Sequence, residues 1–539
     1  MNILGISTPG PNAAAALFDN HGIVAAIEEE KLTRRYEVDA LPHLALGQVL
    51  ASGGLRLPDV DSIALAVRGA TSKRPSGKNS RREAVFAHLR QLLAGRRFTS
   101  FDHHLCHAAS AFYTSDFSRS LVLTLDHGAG AISGSLALGE DDHLKPLHTL
   151  TFPNSFGWFY SRATALAGLR PQRDEHKLQW LSKDGQPEYL EIFRKLFAWN
   201  VKGLPSLERR YFTHGPDGSG VFAPRLYREL GFSRSAVPAD GSVRAALARS
   251  AQEALEEFVL RLSERFREST HADSLCLAGG VFQNVLLVRA LEQQSSFRNV
   301  YVQPVAGNAG TALGAAFLSR KKTTGRSGRT PLESLALGPE PTSNEIKSVL
   351  DNCKIVYRYA NSEDELLEET SRQLEQGKIV GWCQGRTEFG HRALGNRSLL
   401  ASPFNEYVLD NVNQFIKHRE GFHPFALSVP AERASEYFDA SPNCRFMASI
   451  ATLKTPVAGL ERFAFHGNSV RVHTVEKNSN PLFWKLLHKF GETASAPILV
   501  NTSFNLFGEP LVTDPRGAVR SFYCAGVDAL ALGPFLLAK

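Results

Sequence analysis

The chain reads as an α/β protein of two units, and three observations predict this. Short apolar runs such as Asn2–Ser7 and Ser120–Leu125 have strand length and end in turns built from Gly, Asn, Asp and Pro. Several of these runs lead straight into segments with helical spacing, the βα alternation of an α/β sheet. Third, the run SRKKTTGRSGRTPLESLALGPEPTSN (Ser319–Asn344) is basic and then rich in Gly, Pro and Ser, and it separates two such sets. The expected units are residues 1–320 and 345–539, with 321–344 as a linker.

The first unit opens as strand, turn, strand: Asn2–Ser7, Thr8–Pro11, Ala13–Phe18, then Gly22–Ile27. Tight turns of this kind suit a sheet that cradles phosphates. Glu28–Tyr36 is densely charged, which fits a solvated helix start or charges beside a substrate cleft. Ser62–Val67 reads as a strand and Glu83–Leu93 as a helix. His103-His104-Leu105-Cys106-His107 then begins a helix in which positions i and i+4, His103 and His107, share a face. Asp126 falls at the carboxyl end of the next strand, where ligands gather in α/β sheets. Two imidazoles and a carboxylate suit a divalent transition metal, iron or zinc; the alternative is that the histidines cap or pack a polar helix start. His104 and His127 read as neighbours of the ligands.

Ser133–Leu138 returns as a strand, Gly157–Gly168 is helical, and Asp174–Lys177 is a polar stretch that fits a surface loop or a ligand-facing one. Arg244–Arg267 is a long amphipathic helix whose apolar stripe is core. The strand Leu275–Ala278, then Gly279-Gly280, then Val281–Asn284 opening a helix, lets backbone N–H groups approach a nucleotide. Asn299–Val302 and the turn Gly307–Gly310 repeat the pattern before the helix Thr311–Leu318.

In the second unit Glu363–Gln376 is a helix and Ile379–Trp382 a strand. Arg386, Arg392 and Arg397 follow, interleaved with glycines and with only Glu388 among them, and Lys417 and Arg419 come next. Forked guanidinium groups in that density form an anion receptor. Arg471 lies on the strand Ser469–Val475, and Pro497–Val500 ends in Asn501-Thr502-Ser503-Phe504-Asn505, polar groups that suit a nucleotide site or an ordinary turn.

The 43% hydrophobic and 21% charged content is that of an ordinary globular protein, so neither a disordered chain nor a membrane bundle is expected. Net charge is +7, which favours anionic partners, but no basic block is long enough to indicate nucleic acid. The six cysteines form no CxxC, which predicts buried thiols in a reduced cytosol. The first residues read as a strand and not a leader, and no apolar run reaches membrane-span length.

The strings QGRTEFGHRALGNRSLL and NTSFNLFGEPLV, with HHLCHAASAF, LAGGVFQN and GNAGTALGAAF, resemble the nodulation/cephalosporin-type O-carbamoyltransferase family over nearly the whole chain. The resemblance implies an N-terminal actin-like unit similar to threonylcarbamoyl transferases and a C-terminal YrdC-like unit. It implies that the C-terminal site takes carbamoyl phosphate and ATP with magnesium and forms carbamoyl-AMP. The N-terminal site would pass the carbamoyl group to a hydroxylated small-molecule acceptor. By the same resemblance, Arg392, Lys417, Arg471, Asn501 and Ser503 line the first site. Arg386, Arg397 and Arg419 would add charge, and Gly279, Gly280 and Asn284 would border adenosine. His103, His107 and Asp126 would hold iron.

Three positions depart from the family pattern. Asn308 stands where a last metal carboxylate is expected, His423 where an arginine precedes Pro-Phe-Ala, and Pro11 where a histidine is common. The general base then falls to His104, His127 or a carboxylate, or none is needed. A tRNA threonylcarbamoylating enzyme and a noncatalytic nucleotide sensor are the competing readings. No nucleic acid or membrane partner is expected, and a homodimer stays open.

Overall fold

The computed structural model describes residues 1–8, 10, 12–36, 41–67, 97–213, 220–233, 240–454 and 457–539. The helix expected over Glu83–Leu93 and the departure at Pro11 lie outside them. By contacts the chain divides into one unit of residues 1–66, 81–100 and 308–539 and another of 67–80 and 101–307.

The first sheet is built from β1 (Ile3–Ser7), β2 (Ala14–Phe18), β3 (Ile23–Glu28), β4 (Ser62–Val67) and β5 (Arg97–Asp102), in the order β3-β2-β1-β4-β5. The first three strands form an antiparallel meander, and β4 joins β1 in parallel. β1 is closely covered by the helix Thr311–Thr324: a Cβ on Gly5 would stand 2.1 Å from the Ala312 carbonyl oxygen.

The second unit repeats this order in its own sheet. β6 (Arg119–Ala129), β7 (Ile132–Glu140) and β8 (His143–Thr151) form the meander. After a short hairpin of β9 (Phe197–Trp199) and β10 (Pro205–Leu207), β11 (Ser274–Ala278) joins β6 in parallel, and β12 (Asn299–Val302) joins β11. The order β8-β7-β6-β11-β12 matches that of the first sheet, the duplicated arrangement expected of an actin-like fold. Between β8 and β11 lie helices that include Phe156–Leu166 and the 30-residue Gly241–Thr270, whose Leu247, Leu255, Val259 and Leu262 are buried as its stripe predicts.

The third sheet, in the first unit, has ten strands. They are β13 (Arg358–Tyr359), β14 (Val380–Cys383), β15 (Arg397–Ala401), β16 (Ala426–Pro430), β17 (Phe438–Asp439), β18 (Ala451–Leu453), β19 (Ser469–Val475), β20 (Leu499–Ser503), β21 (Ala529–Leu532) and β22 (Phe535–Ala538). Their order is β13-β22-β21-β14-β15-β20-β16-β19-β18-β17, with parallel and antiparallel pairs mixed. Side chains alternate between two cores. Leu427, Val472 and Val500 face one; Trp382, Leu400 and Leu499 face the other, under the helices Glu363–Glu375 and Pro481–Gly491. The α/β class read from the sequence is therefore observed.

Two expectations are corrected. The segment 321–344 is no free tether: the helix runs on to Thr324, and Leu337 and Gly338 bond to Ala26 and Thr387 through the backbone. A chain whose carbonyls and amides are taken up by two neighbours is a strap, whatever its Gly and Pro content. The charged run after β3 is not a solvated helix start: its first residues are covered, whereas Arg35 and Tyr36 are exposed and the Tyr36 hydroxyl accepts from Asn505 Nδ2 at 3.4 Å, beside the Lys417 site. Glu28, Glu29, Glu30 and Lys31 are all buried. Lys31 Nζ pairs with Glu28 at 2.9 Å and donates to the backbone oxygens of Glu388 and Gly390, while Glu28 accepts from Gly390 N. These charges are satisfied by a loop more than 350 residues away in sequence, which no local pattern reveals.

Candidate functional site

In the second unit, Asp102 caps the helix His103–Phe112 by accepting from the amides of His104 and Leu105 at 2.9 and 3.1 Å. The cap fixes the first turn, so His103 and His107 stack one turn apart on one face. Their Nε2 atoms stand 3.1 Å apart, and Asp126 Oδ2 lies 3.0 Å from the first and 3.5 Å from the second. Asp126 falls where the β6–β7 register breaks, between Leu125 and Ala129, a bulge that turns its side chain out of the ladder. Ser155 donates to the carbonyls of Asp126 and His127 and so satisfies the bulge.

The glycines of the 279–280 turn serve this carboxylate. Gly280 N–H donates to Asp126 Oδ1 at 3.1 Å. A Cβ on Gly280 would stand 2.9 Å from that oxygen, and one on Gly279, at φ +100°, would stand 2.1 Å from the Leu125 carbonyl. The expectation that this turn faces a nucleotide is thereby revised: close approach to β6 is what requires glycine. Asn284, expected to border adenosine, caps the helix Val285–Gln294 and exchanges two hydrogen bonds with Gln252, so its amide is fully engaged.

Among the described residues, His103, His107 and Asp126 form the one His/Cys/Asp/Glu cluster with donor atoms close enough to share an ion. Donors bound to one transition-metal ion at about 2.1 Å stand about 3–3.5 Å apart, so the three edges fit a metal. Burial by itself would raise the Asp126 carboxyl, but hydrogen bonds from both histidines outweigh it and hold the group well below its usual range. His104 turns away from the trio: Nδ1 meets Thr124 Oγ1 at 2.9 Å, and burial lowers its pKa to about 4, so it is neutral. Asn308 lies in the first unit, where its backbone oxygen accepts from Ser7 and Thr311.

The first unit builds a site of opposite character. Ala426 on β16 pairs with Arg471 on β19 and with Asn501 on β20; Ser428 pairs with His473 and Leu499. Residues opposite one another, and residues two apart, share a face of the sheet. Arg471, Asn501, Ser428, His473 and Ser503 therefore form one polar patch on the face that elsewhere carries Leu400 and Leu499. Lys417 enters from the π-helical turn Asn411–Lys417, a strained geometry that recurs at functional sites. Its ammonium donates to Ser503 O, to Ser503 Oγ at 3.3 Å and to Asn505 Oδ1 at 2.6 Å.

The cations crowd one another. Burial, then the charges of Arg392 and Arg419, push Arg471 well below its ordinary range. Burial lowers Arg392 and Arg419 to about 10, and burial followed by Arg419 lowers Lys417. The oxygens around Lys417 act in the opposite direction and favour the ammonium. Among the described residues neither Arg392 nor Lys417 is paired with a carboxylate. Asn501 Oδ1 and Arg419 Nη2 are buried with no hydrogen-bond partner. An anion entering here relieves repulsion and supplies acceptors.

Two of the expected anion ligands are corrected. Arg386 donates to the carbonyls of Gly338, Val24 and Leu337, and Arg397 to those of Gln384, Gly385 and Asn396. They brace backbone, because a loop with many uncovered carbonyls captures the nearest guanidinium groups. His423 turns to the Glu420 carbonyl at 3.3 Å and its carboxylate at 3.6 Å. Glu388 accepts from the amides of Leu394, Asn396 and Arg397 and shapes the loop that bears Arg392. Ser428 and His473 went unread in the sequence, whereas Asn505 belongs to the polar run after β20 that the sequence marked. Polar residues at alternate positions of apolar strands, Arg471 and His473 between Val470, Val472 and Val475, were the available signal.

Comparison with known proteins agrees with this division. A family model described as carbamoyltransferase N-terminus matches residues 83–317, and one described as carbamoyltransferase C-terminus matches 371–539. An uncharacterized Synechocystis protein, sll1178, is 32% identical over an alignment covering 100% of this chain and 97% of its own. The nodulation protein NolNO of Sinorhizobium fredii is 32% identical, covering 98% and 79%. The 3'-hydroxymethylcephem-O-carbamoyltransferase of Amycolatopsis lactamdurans is 29% identical over 51% of each chain.

Proposed function

Because the chain belongs to the carbamoyltransferase family, and is thus a transferase, we propose that it carries a carbamoyl group from carbamoyl phosphate to a hydroxyl of a small natural product through carbamoyl-AMP. Carbamoyl phosphate and water give carbamate and phosphate. A carbamate oxygen attacks the α-phosphorus of ATP, and pyrophosphate leaves. The acceptor hydroxyl then attacks the carbamoyl carbon, AMP leaves, and the hydroxyl proton passes to His104, His127 or solvent. The observation that carries the reading is the buried patch of Arg392, Lys417, Arg419 and Arg471 around Asn501 and Ser503, basic groups whose burial and mutual repulsion lower their pKa and which an anion would offset. Fixed cations stabilise the charge that develops at phosphorus during adenylation. Magnesium would accompany the ATP.

Transfer is assigned to the second unit. His103, His107 and Asp126 would hold a divalent metal, iron by family resemblance. Such an ion, when bound, polarises an oxygen of the group being transferred. Gly280 and Ser155 keep Asp126 aimed. His104, whose pKa burial lowers to about 4, stays neutral beside them.

The test is mass spectrometry of products from ATP, carbamoyl phosphate and a panel of hydroxylated antibiotics, with pyrophosphate followed in parallel. Pyrophosphate release that needs both ATP and carbamoyl phosphate, together with a carbamoylated alcohol, is expected. Release without carbamoyl phosphate, or transfer to tRNA only, overturns the proposal.

A further inference from the structure

Asn501 sits beside the cations but is held by two groups that are not cationic. Its Nδ2 donates to Ser428 Oγ at 3.0 Å and lies 3.4 Å from His473 Nδ1, and Ser428 Oγ is 3.0 Å from the same nitrogen. All three side chains are buried, His473 is stacked along Phe483, and burial drives its pKa down to about 3. The imidazole is therefore neutral. With the proton on Nε2, Nδ1 accepts from the Ser428 hydroxyl, and that hydroxyl accepts from Asn501. In that tautomer the amide nitrogen faces Ser428 and His473 and the oxygen is turned away. That oxygen is buried and has no hydrogen-bond partner. A buried carbonyl without a donor is destabilising, and a ligand N–H would satisfy it.

The register says where the oxygen lies. Asn501 and Arg471 flank Ala426 in one row, so their Cα atoms are about 10 Å apart, with only a methyl group between them. The row offers cations at one end and a carbonyl acceptor at the other. A ligand that fits both carries a phosphate and, a few ångströms away, an N–H. We propose that Ser428 and His473 are positioning residues that lock the Asn501 amide so that its oxygen reads the –NH2 of an acyl phosphate, and so select a carbamoyl over an acetyl group. The inference rests on the proposed carbamoyl phosphate site and deepens it.

The test is calorimetric binding of carbamoyl phosphate and of acetyl phosphate, which differ by NH2 against CH3. Wild type is expected to prefer the carbamoyl compound at least tenfold. Ser428→Ala and His473→Phe should each lose most of that preference while binding acetyl phosphate within twofold of wild type, which also shows that they are folded. His473→Asn, which places an acceptor near the Nδ1 position, should keep the preference. Equal binding of the two compounds by wild type overturns the inference and leaves the proposed function standing. So does a preference that survives in both Ser428→Ala and His473→Phe. If wild type binds neither compound, the proposed site itself is wrong and the inference falls with it. A Ser428 or His473 variant that binds neither compound while melting as the wild type does would make that residue part of the phosphate site and overturns the inference.

Discussion

The two candidate centres are built by opposite rules. The trio in the second unit uses two imidazoles and a carboxylate on one helix and one strand, and its donor atoms lie within hydrogen-bonding distance. The patch in the first unit gathers four cations from a loop, a π-turn and a strand, and they repel one another. The trio is stabilised by what it already contains, and the patch by what it lacks. The difference is that between a donor set that suits a cation and a basic set that suits an anion, which is what the proposed division of transfer from adenylation calls for.

The sharpest way to break this comparison is to remove one charge from each centre. Lys417→Ala removes a buried ammonium, a loss of roughly 2–5 kcal/mol at a binding site, so carbamoyl-phosphate-dependent pyrophosphate release should fall roughly 30- to 5000-fold. Transfer from supplied carbamoyl-AMP should survive. His103→Ala should give the reverse pattern, and measuring both products for both variants decides between the assignments. A close second is Lys31→Met. It strands Glu28, which is 3% exposed, and releases the Glu388 and Gly390 carbonyls. Breaking a buried pair costs about 3–5 kcal/mol, so the melting temperature should drop and amide exchange at Leu394, Asn396 and Arg397 should accelerate.

Gly280→Ala probes the trio more gently. It puts a methyl 2.9 Å from Asp126 Oδ1 without replacing any of the three ligand side chains. Disturbing a ligand's support costs about 10–100-fold in metal affinity, so chelator resistance should fall by that factor. Elemental analysis of His107→Ala should show no bound metal. The smallest effect concerns pH. His473 titrates at about 3 when folded and at 6.5 when free. The unfolded chain therefore binds the extra proton first as pH falls. Stability from this group is complete above 6.5 and is lost progressively down to about 3. Thermal melts across that window should be less acid-sensitive in His473→Asn than in wild type.

The sequence disclosed what is local. His103 and His107 follow from helical spacing, Asp126 from a strand end, and the helix over 241–270 from its stripe. It also disclosed that arginines cluster near 392, but not which of them face a ligand. Arg386 and Arg397 look the same as Arg392 in a string, and only the position of distant carbonyls separates them. The glycines at 279–280 were correctly marked as a close approach, but the thing approached was Asp126 and β6. Ser428 and His473 escaped notice because their meaning comes from the register of β16 against β19 and β20, which pairs residues more than forty positions apart. Of the six thiols expected to be buried, Cys353 and Cys524 are exposed, since both end surface helices. No described helix is long and apolar enough to cross a membrane.

The contact between Lys31 and the loop at Gly390 spans 359 residues. A ribosome makes Glu28 and Lys31 early, and they wait as buried-type charges without their partners through most of synthesis. Closing so long a loop is slow because its entropy is lost before any contact rewards it. The helix bearing His103 and His107 needs no such wait. The His103 helix can thus form before the loop that presents Arg392, and a product that stops short of residue 390 leaves Glu28 and Lys31 without the loop that satisfies them.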